Sequence, residues 1–248
     1  FAPMMDIARD PRWGRVIECY GEDPYLAGLC AAAAVEGYQG AGLAQPDTLA
    51  ACAKHFVAYG CAEGGRDYDT AEVSWNTLRN IYLPPFKKAV EAGVRTVMSA
   101  FQDIGGTPAS GHKRLIQGVL KDEWGFDGFV VSDWGSVEQL ELHGFAEDLK
   151  EASEKGCNAG VDMEMVLNGY DRHLEDLIAE GRVDAARLDD AARRILRVKL
   201  ELGLFESPYT EPGASKGVLL CAEHRKAARE AAESSLVLAR NRNGILPL

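Results

Sequence analysis

Apolar residues along this chain fall into two rhythms. Short, nearly unbroken apolar runs occur at residues 1–7, 51–58, 95–101, 128–133 and 160–165. Runs of that length without polar alternation predict strands buried on both faces, as in a parallel sheet covered by helices. Between them the apolar positions recur at helical spacing. In 113–124, Ile116, Val119, Leu120 and Trp124 line one face. Asp184 is placed to cap a helix running to about Leu202, with the stripe Leu188, Ala191, Ile195, Val198 and Leu202 and a stop at Gly203.

Strand and helix patterns alternate, which predicts α/β architecture built from βα units. Five such strands are too few to close a TIM-type (β/α)8 barrel, which takes about 250 residues in all. The shortfall lies before Phe1, so the chain reads as part of a longer protein carrying an incomplete barrel over 1–204. Residues 205–217 hold Pro208, Pro212, Gly213 and Gly217 and read as a linker. A helix at about 222–234 and a strand-like run at 235–239 complete a second segment, 205–248.

Composition narrows the partners. Of 248 residues, 46% are apolar and 26% charged, which predicts a packed domain rather than disorder. The formal charge is −11, with 27 basic against 38 acidic residues. An acidic chain lacks the cationic footprint that nucleic acid or an anionic membrane face requires, and leaves neutral small molecules open. No apolar run approaches the length of a membrane-spanning helix. The six cysteines contain no C-x-x-C pair and the five histidines no H-x-x-x-H, so no dedicated metal site and no cofactor are expected. The cysteines read chiefly as small buried residues.

Three stretches carry candidate chemistry. Gly128-Phe129-Val130-Val131-Ser132-Asp133-Trp134-Gly135 ends a strand in an acid, an aromatic and a glycine. A carboxylate at the carboxyl end of a parallel strand sits where barrel enzymes place catalytic groups, although Asp133 would serve equally as a helix N-cap. Trp134 offers a flat apolar face to a pyranose, or simply packs. In Cys52-Ala53-Lys54-His55-Phe56 the neighbours Lys54 and His55 point to opposite faces of a regular strand, so a joint role needs a bulge or another break in alternation. The loop from Arg9 to Arg15 brings Arg15 near the same end; it either donates to a substrate or pairs with Glu18 or Glu22.

Taken together the chain resembles glycoside hydrolase family 3. The resemblance rests on Ala2-Pro3 with Asp6, Arg9-Asp10-Pro11-Arg12-Trp13-Gly14-Arg15, Gly21-Glu22-Asp23-Pro24, Lys54-His55-Phe56, Val131-Ser132-Asp133-Trp134-Gly135 and Gly160-Val161-Asp162-Met163, in order over nearly the whole length. It implies a retaining, exo-acting β-glycosidase of the β-glucosidase type. By position, Asp133 would be the nucleophile. Arg15, Lys54 and His55 would grip the hydroxyls of a terminal β-linked sugar, with Trp134 and Phe101 bordering the pocket. A second carboxyl about 5–5.5 Å away must protonate the leaving oxygen. The resemblance implies that it comes from outside this chain, in the family's second domain, an α/β sandwich whose first strand would be 236–238. It also implies a periplasmic or secreted protein. Phe101 stands where many relatives have Tyr, Gln102-Asp103-Ile104-Gly105-Gly106 replaces Asn-Asp-Ile-Asn-Gly, and His112 replaces a common Asn. The loop Val57-Ala58-Tyr59-Gly60 lacks the Asp-His pair of the N-acetylglucosaminidase branch. A sugar-binding protein without turnover, as a fragment or a degenerate member, is the alternative for the chain as it stands.

Overall fold

The computed structural model describes residues 1–247, and in it the five apolar runs lie side by side in chain order. β1 (Cys52–Phe56) and β2 (Thr96–Ser99) pair in parallel. β3 (Asp103–Ile104) and β4 (Thr107–Pro108) make a small antiparallel hairpin after β2. β5 (Phe129–Val131) then pairs in parallel with β2, completing the order β1-β2-β5. The first and last runs flank this sheet by single parallel bridges, Met4 to Lys54 and Val131 to Met163. Both are shorter as strands than their apolar runs. Pro3 has no N–H to give a ladder, and the segment is tied by Cys52 N–H to Ala2 O (2.7 Å), Lys54 N–H to Pro3 O (3.2 Å) and Met5 N–H to Lys54 O (2.8 Å).

Helices cover the sheet. The Pro24–Gln39 helix starts at Asp23, whose carboxylate accepts from Leu26 N–H at 2.7 Å. Its buried face is Ala27, Gly28, Ala31 and Val35, small enough to bring it close to the Pro84–Glu91 helix. The predicted 113–124 helix is observed as Arg114–Glu123 with wide turns, Trp124 N–H reaching back five residues to Val119 O. Ile116, Val119 and Leu120 are buried as expected, and Leu115 and Lys121 join them; Trp124 is only half-buried. Asp184 caps the Ala185–Glu201 helix by accepting from Ala186 N–H. Its stripe is only partly covered: Ala191 and Val198 are buried, while Leu188 is exposed.

The chain divides into two compact units, Phe1–Phe205 and Glu206–Leu248. The second contains the Ala222–Ser235 helix, none of whose residues is buried. Residues 236–239 belong to no helix or strand among the described residues, and Ala239 N–H turns back to Val237 O at 3.1 Å. All six cysteines are free; Cys52 and Cys157 are buried and the other four half-buried.

The strand that ends in Asp133 is held by an ionic cluster inside the first unit. Asp162, fully buried, accepts from Lys121 Nζ (2.7 and 2.9 Å), from Arg187 Nη2 (2.6 Å) and from the backbone N–H of Val130 (2.7 Å). Burial pushes the Lys121 ammonium down to about 8, against the pull of Asp162. An unfolded lysine keeps its proton to about 10.4. Between the two values the unfolded chain binds more protons on this group, so its contribution to stability grows as pH rises. Lys121→Met strips Asp162 of one of its two cations, and a loss of about 3 kcal/mol is expected by denaturant unfolding at pH 7. The gap between wild type and variant should widen from pH 8 upward. A gap that narrows would show that the folded state holds this proton more tightly than the unfolded chain does.

Candidate active site

The carboxyl ends of the parallel segments bring four separate stretches of sequence together. His55, 1% exposed, is the centre. Asp6, buried beside it, accepts from His55 Nδ1 at 2.8 Å and from the His55 backbone N–H at 3.0 Å, both through Oδ2. The other ring nitrogen, Nε2, lies 3.3 Å from Asp133 Oδ2 and 3.3 Å from Arg15 Nη1. An ionised carboxylate only accepts, so Nδ1 carries a proton toward Asp6. Nε2 then faces a cation and an anion at once.

The strand alternation that would separate Lys54 from His55 is broken. The β1–β2 register shifts between Ala53 and Phe56, and the Lys54–His55 and Phe56–Val57 peptide bonds are cis. Lys54 is half-buried, and its ammonium has no hydrogen-bond or ion-pair partner among the described residues. Its positive charge is felt at Glu18.

Asp133 sits at the end of β5 with its two oxygens in different circumstances. Oδ1 accepts from Trp134 N–H at 2.6 Å. Oδ2 is buried and has no aligned donor; the contact with His55 Nε2 is close but is not a hydrogen bond. A buried acceptor left unpaired costs about 1–3 kcal/mol, and such atoms in a folded protein call for an explanation. The turn that carries it is firmly built. Ser132 Oγ accepts from Met165 N–H (2.7 Å), Ser132 N–H donates to Met163 O (2.9 Å), and Gly135 N–H donates to Met165 O (3.0 Å). Gly135 has φ +67°, and a side chain there would press on Leu167.

Arg15 does both things the sequence left open. Its Nε and Nη2 grip Glu18 at 2.6 and 2.8 Å, while Nη1 points to His55. The pairing raises the Arg15 pKa and, with Arg15 as its chief cause, lowers that of Glu18, so both stay charged. Trp134 is 66% exposed beside the nucleophile candidate. Phe101 is buried and reaches the cluster only through other rings: Tyr59, 5.7 Å away, lies edge-on to His55 at 4.9 Å. Tyr59 is fully buried, and burial raises its pKa, with Asp67 adding to the effect.

Asp6, Glu18 and Tyr59 are thus parts of the cluster that the sequence did not single out as site residues. The signal for Asp6 is a charge inside an otherwise apolar run. No group of three or more His, Cys, Asp or Glu converges on a point that would hold a metal ion, among the described residues.

Residues 1–198 match the family model described as the Glycosyl hydrolase family 3 N terminal domain. The chain belongs to glycosyl hydrolase family 3. It is 45% identical over 253 residues to a periplasmic beta-glucosidase of Salmonella typhimurium, covering 100% of this chain and 33% of that protein. It is 40% identical over 260 residues to a beta-xylosidase of Formosa agariphila, covering 100% of this chain and 36% of the relative. Among solved structures, a beta-glucosidase from Listeria innocua in complex with glucose superposes with a TM-score of 0.97 at 45% identity, over 100% of this chain and 35% of that one. A mutant of the Listeria enzyme in complex with laminaribiose gives the same TM-score, 0.97, at 43% identity. The chain spans about a third of the length of the curated relatives it matches.

In this family 3 chain the tautomer of His55 depends on Asp6. Asp6→Asn replaces an acceptor-only group by one that also donates, so the ring proton is free to move to Nε2. Nitrogen-15 NMR should find His55 protonated at Nδ1 in the wild type and a shift toward Nε2 in Asp6→Asn. A stability loss of about 1–3 kcal/mol should accompany it. Identical ring spectra in the two proteins would remove Asp6 from control of the tautomer.

Proposed function

We propose that this chain is the nucleophile-bearing part of a retaining, exo-acting β-glycosidase that removes terminal β-linked glucosyl or xylosyl units. The observation that carries the reading is Asp133 Oδ2, buried, without an aligned donor, and 3.3 Å from His55 Nε2. A carboxylate at a strand end, held beside a fixed imidazole that also meets the Arg15 cation, suits attack on an anomeric carbon. In the first step the bond from an Asp133 carboxylate oxygen to the anomeric carbon forms as the bond to the leaving oxygen breaks, and that oxygen takes a proton from a general acid. In the second, water attacks the anomeric carbon, the ester to Asp133 breaks, and the water's proton returns to the same acid/base group.

Roles follow from what each group has to spare. Lys54, with no ion-pair partner, donates to ring hydroxyls, and Arg15 Nη1 and His55 hold the sugar on the same side. Trp134 covers the apolar face of the ring, and Phe101 closes the wall behind it. The general acid lies outside this chain. Asp6 is engaged by His55 and Glu18 by Arg15, so neither of these two carboxylates is available for that role. In this reading residues 1–204 are part of a (β/α)8 barrel, 205–248 lead into an α/β sandwich, and the protein works in the periplasm or outside the cell. The last point is supported by the word periplasmic in the name of the Salmonella relative. Names of both beta-glucosidases and beta-xylosidases among the relatives support the substrate class.

A reagent whose leaving group needs no proton tests the nucleophile in this chain alone. Incubation with 2,4-dinitrophenyl 2-deoxy-2-fluoro-β-glucoside should leave one glycosyl adduct, mapped to Asp133 by peptide mass spectrometry and absent in Asp133→Ala. An adduct on another residue, or one that survives the substitution, would refute the assignment.

A further inference from the structure

Three buried serines join the end of β2 to the turn that carries Asp133. Ser99 ends β2, Ser110 lies in the turn Ala109–Gly111 after the β3–β4 hairpin, and Ser136 closes the turn that begins at Asp133. Each is 1% exposed or less. Ser110 Oγ lies 2.8 Å from Ser99 Oγ, 2.7 Å from Ser136 Oγ and 3.2 Å from the carbonyl oxygen of Ala100.

The direction of each bond follows from counting. A hydroxyl donates once and accepts twice. The Ala100 carbonyl can only accept, so Ser110 gives its proton there and receives one each from Ser99 and Ser136. Any other direction leaves the proton of Ser99 or Ser136 buried without an acceptor, since neither hydroxyl has another partner among the described residues. Ser110 is therefore saturated, with its donor and both lone pairs in use.

Ser136 is one end of the turn that presents Asp133. Its backbone N–H donates to Asp133 O at 3.1 Å. The same carbonyl accepts from Ser132 Oγ at 3.0 Å, and Ser132 Oγ in turn accepts from Met165 N–H. The turn is thus strung between both neighbours of β5. Ser132 fastens it to the 160–165 run on one side, and Ser136, through Ser110, fastens it to β2 on the other. Pairing of β2 with β5 ends at Met98 and Val131, short of both Ser99 and Asp133. The serine chain takes over where the ladder stops.

Resting on the reading of Asp133 as the nucleophile, we propose that Ser110 is a positioning residue, a hydroxyl hub that fixes the Asp133 turn against β2 and so sets how readily the carboxylate reaches an anomeric carbon. Ser110 bonds neither the carboxylate nor the sugar; it acts through Ser136. Its effect falls on the rate of attack and not on affinity, because a displacement of about 1 Å at a reacting atom can cost about a hundredfold in rate.

Trapping with 2,4-dinitrophenyl 2-deoxy-2-fluoro-β-glucoside reads the two separately, as the saturating rate of adduct formation and the half-saturating concentration. The variants are Ser110→Ala, Ser136→Ala, the double variant and Ser99→Ala. Ser136→Ala breaks the link from its far end and leaves no buried donor unpaired, so it keeps the test alive should Ser110→Ala fail to fold. Each of these two should lower the saturating rate about tenfold and leave half-saturation within about twofold. The double variant should be no slower than Ser110→Ala, because both changes cut one link. Ser99→Ala removes an equally buried hydrogen bond on the β2 side and should label at the wild-type rate. A wild-type rate in Ser136→Ala, slowing in Ser99→Ala equal to that in Ser136→Ala, or a double variant slowed by the product of the single effects overturns the hub while Asp133 keeps its role. Wild-type protein that forms no adduct takes down the nucleophile assignment and the positioning role together.

Discussion

The site depends on one buried hydrogen bond, from His55 Nδ1 to Asp6 Oδ2. It joins the first apolar run to β1 across 49 positions of sequence. Because the carboxylate also accepts the His55 backbone N–H, neither partner can move without the other. With Nδ1 committed as a donor, the state of Nε2 decides everything around it. A neutral ring offers a lone pair to Arg15 and nothing to Asp133. A doubly protonated ring turns Arg15 away. Asp133 Oδ2 lies close to the imidazole and yet is not hydrogen-bonded to it.

Placement of Asp133 itself is the work of residues far from the pocket. β5 is three residues long, too short to locate its own end by ladder pairing alone. Asp162 supplies the missing constraint by capturing Val130 N–H from the side opposite β2. It holds that position only because Lys121 and Arg187, from two different helices, neutralise it in the interior. A carboxylate this deep without cations would take up a proton and lose much of its grip. The active face is thus set by charge compensation on the opposite side of the strand.

The sequence made the strand runs and the helix caps legible, for a shared physical reason. Strands buried on both faces are apolar throughout, and caps are local, so a single chain displays both. Asp23 and Asp184 cap helices through hydrogen bonds within three residues. The resemblance to family 3 was readable from spaced motifs at the strand ends. What stayed hidden needed contacts between distant segments. Nothing local marks Lys121 as buried, since a lysine one step from an apolar stripe normally reaches water. The break in alternation at Lys54 and His55 is expected at that peptide as the condition of a joint role, and the register shift between Ala53 and Phe56 lies there. The Ala185–Glu201 stripe marked a face without saying what covers it, and Leu188, Leu196 and Leu200 stay exposed.

Proton accounting divides the proposed reaction into two parts. Beside Asp133 stand an imidazole, His55, and through it the Arg15 cation, which under the proposed mechanism serve bond formation at an anomeric carbon. The two carboxylates bound to His55 and Arg15, Asp6 and Glu18, are engaged by those partners and are not free to protonate a departing oxygen. A leaving group that is stable as an anion avoids this gap, and an alcohol does not. Under the proposed mechanism the chain therefore sorts substrates by the basicity of what leaves.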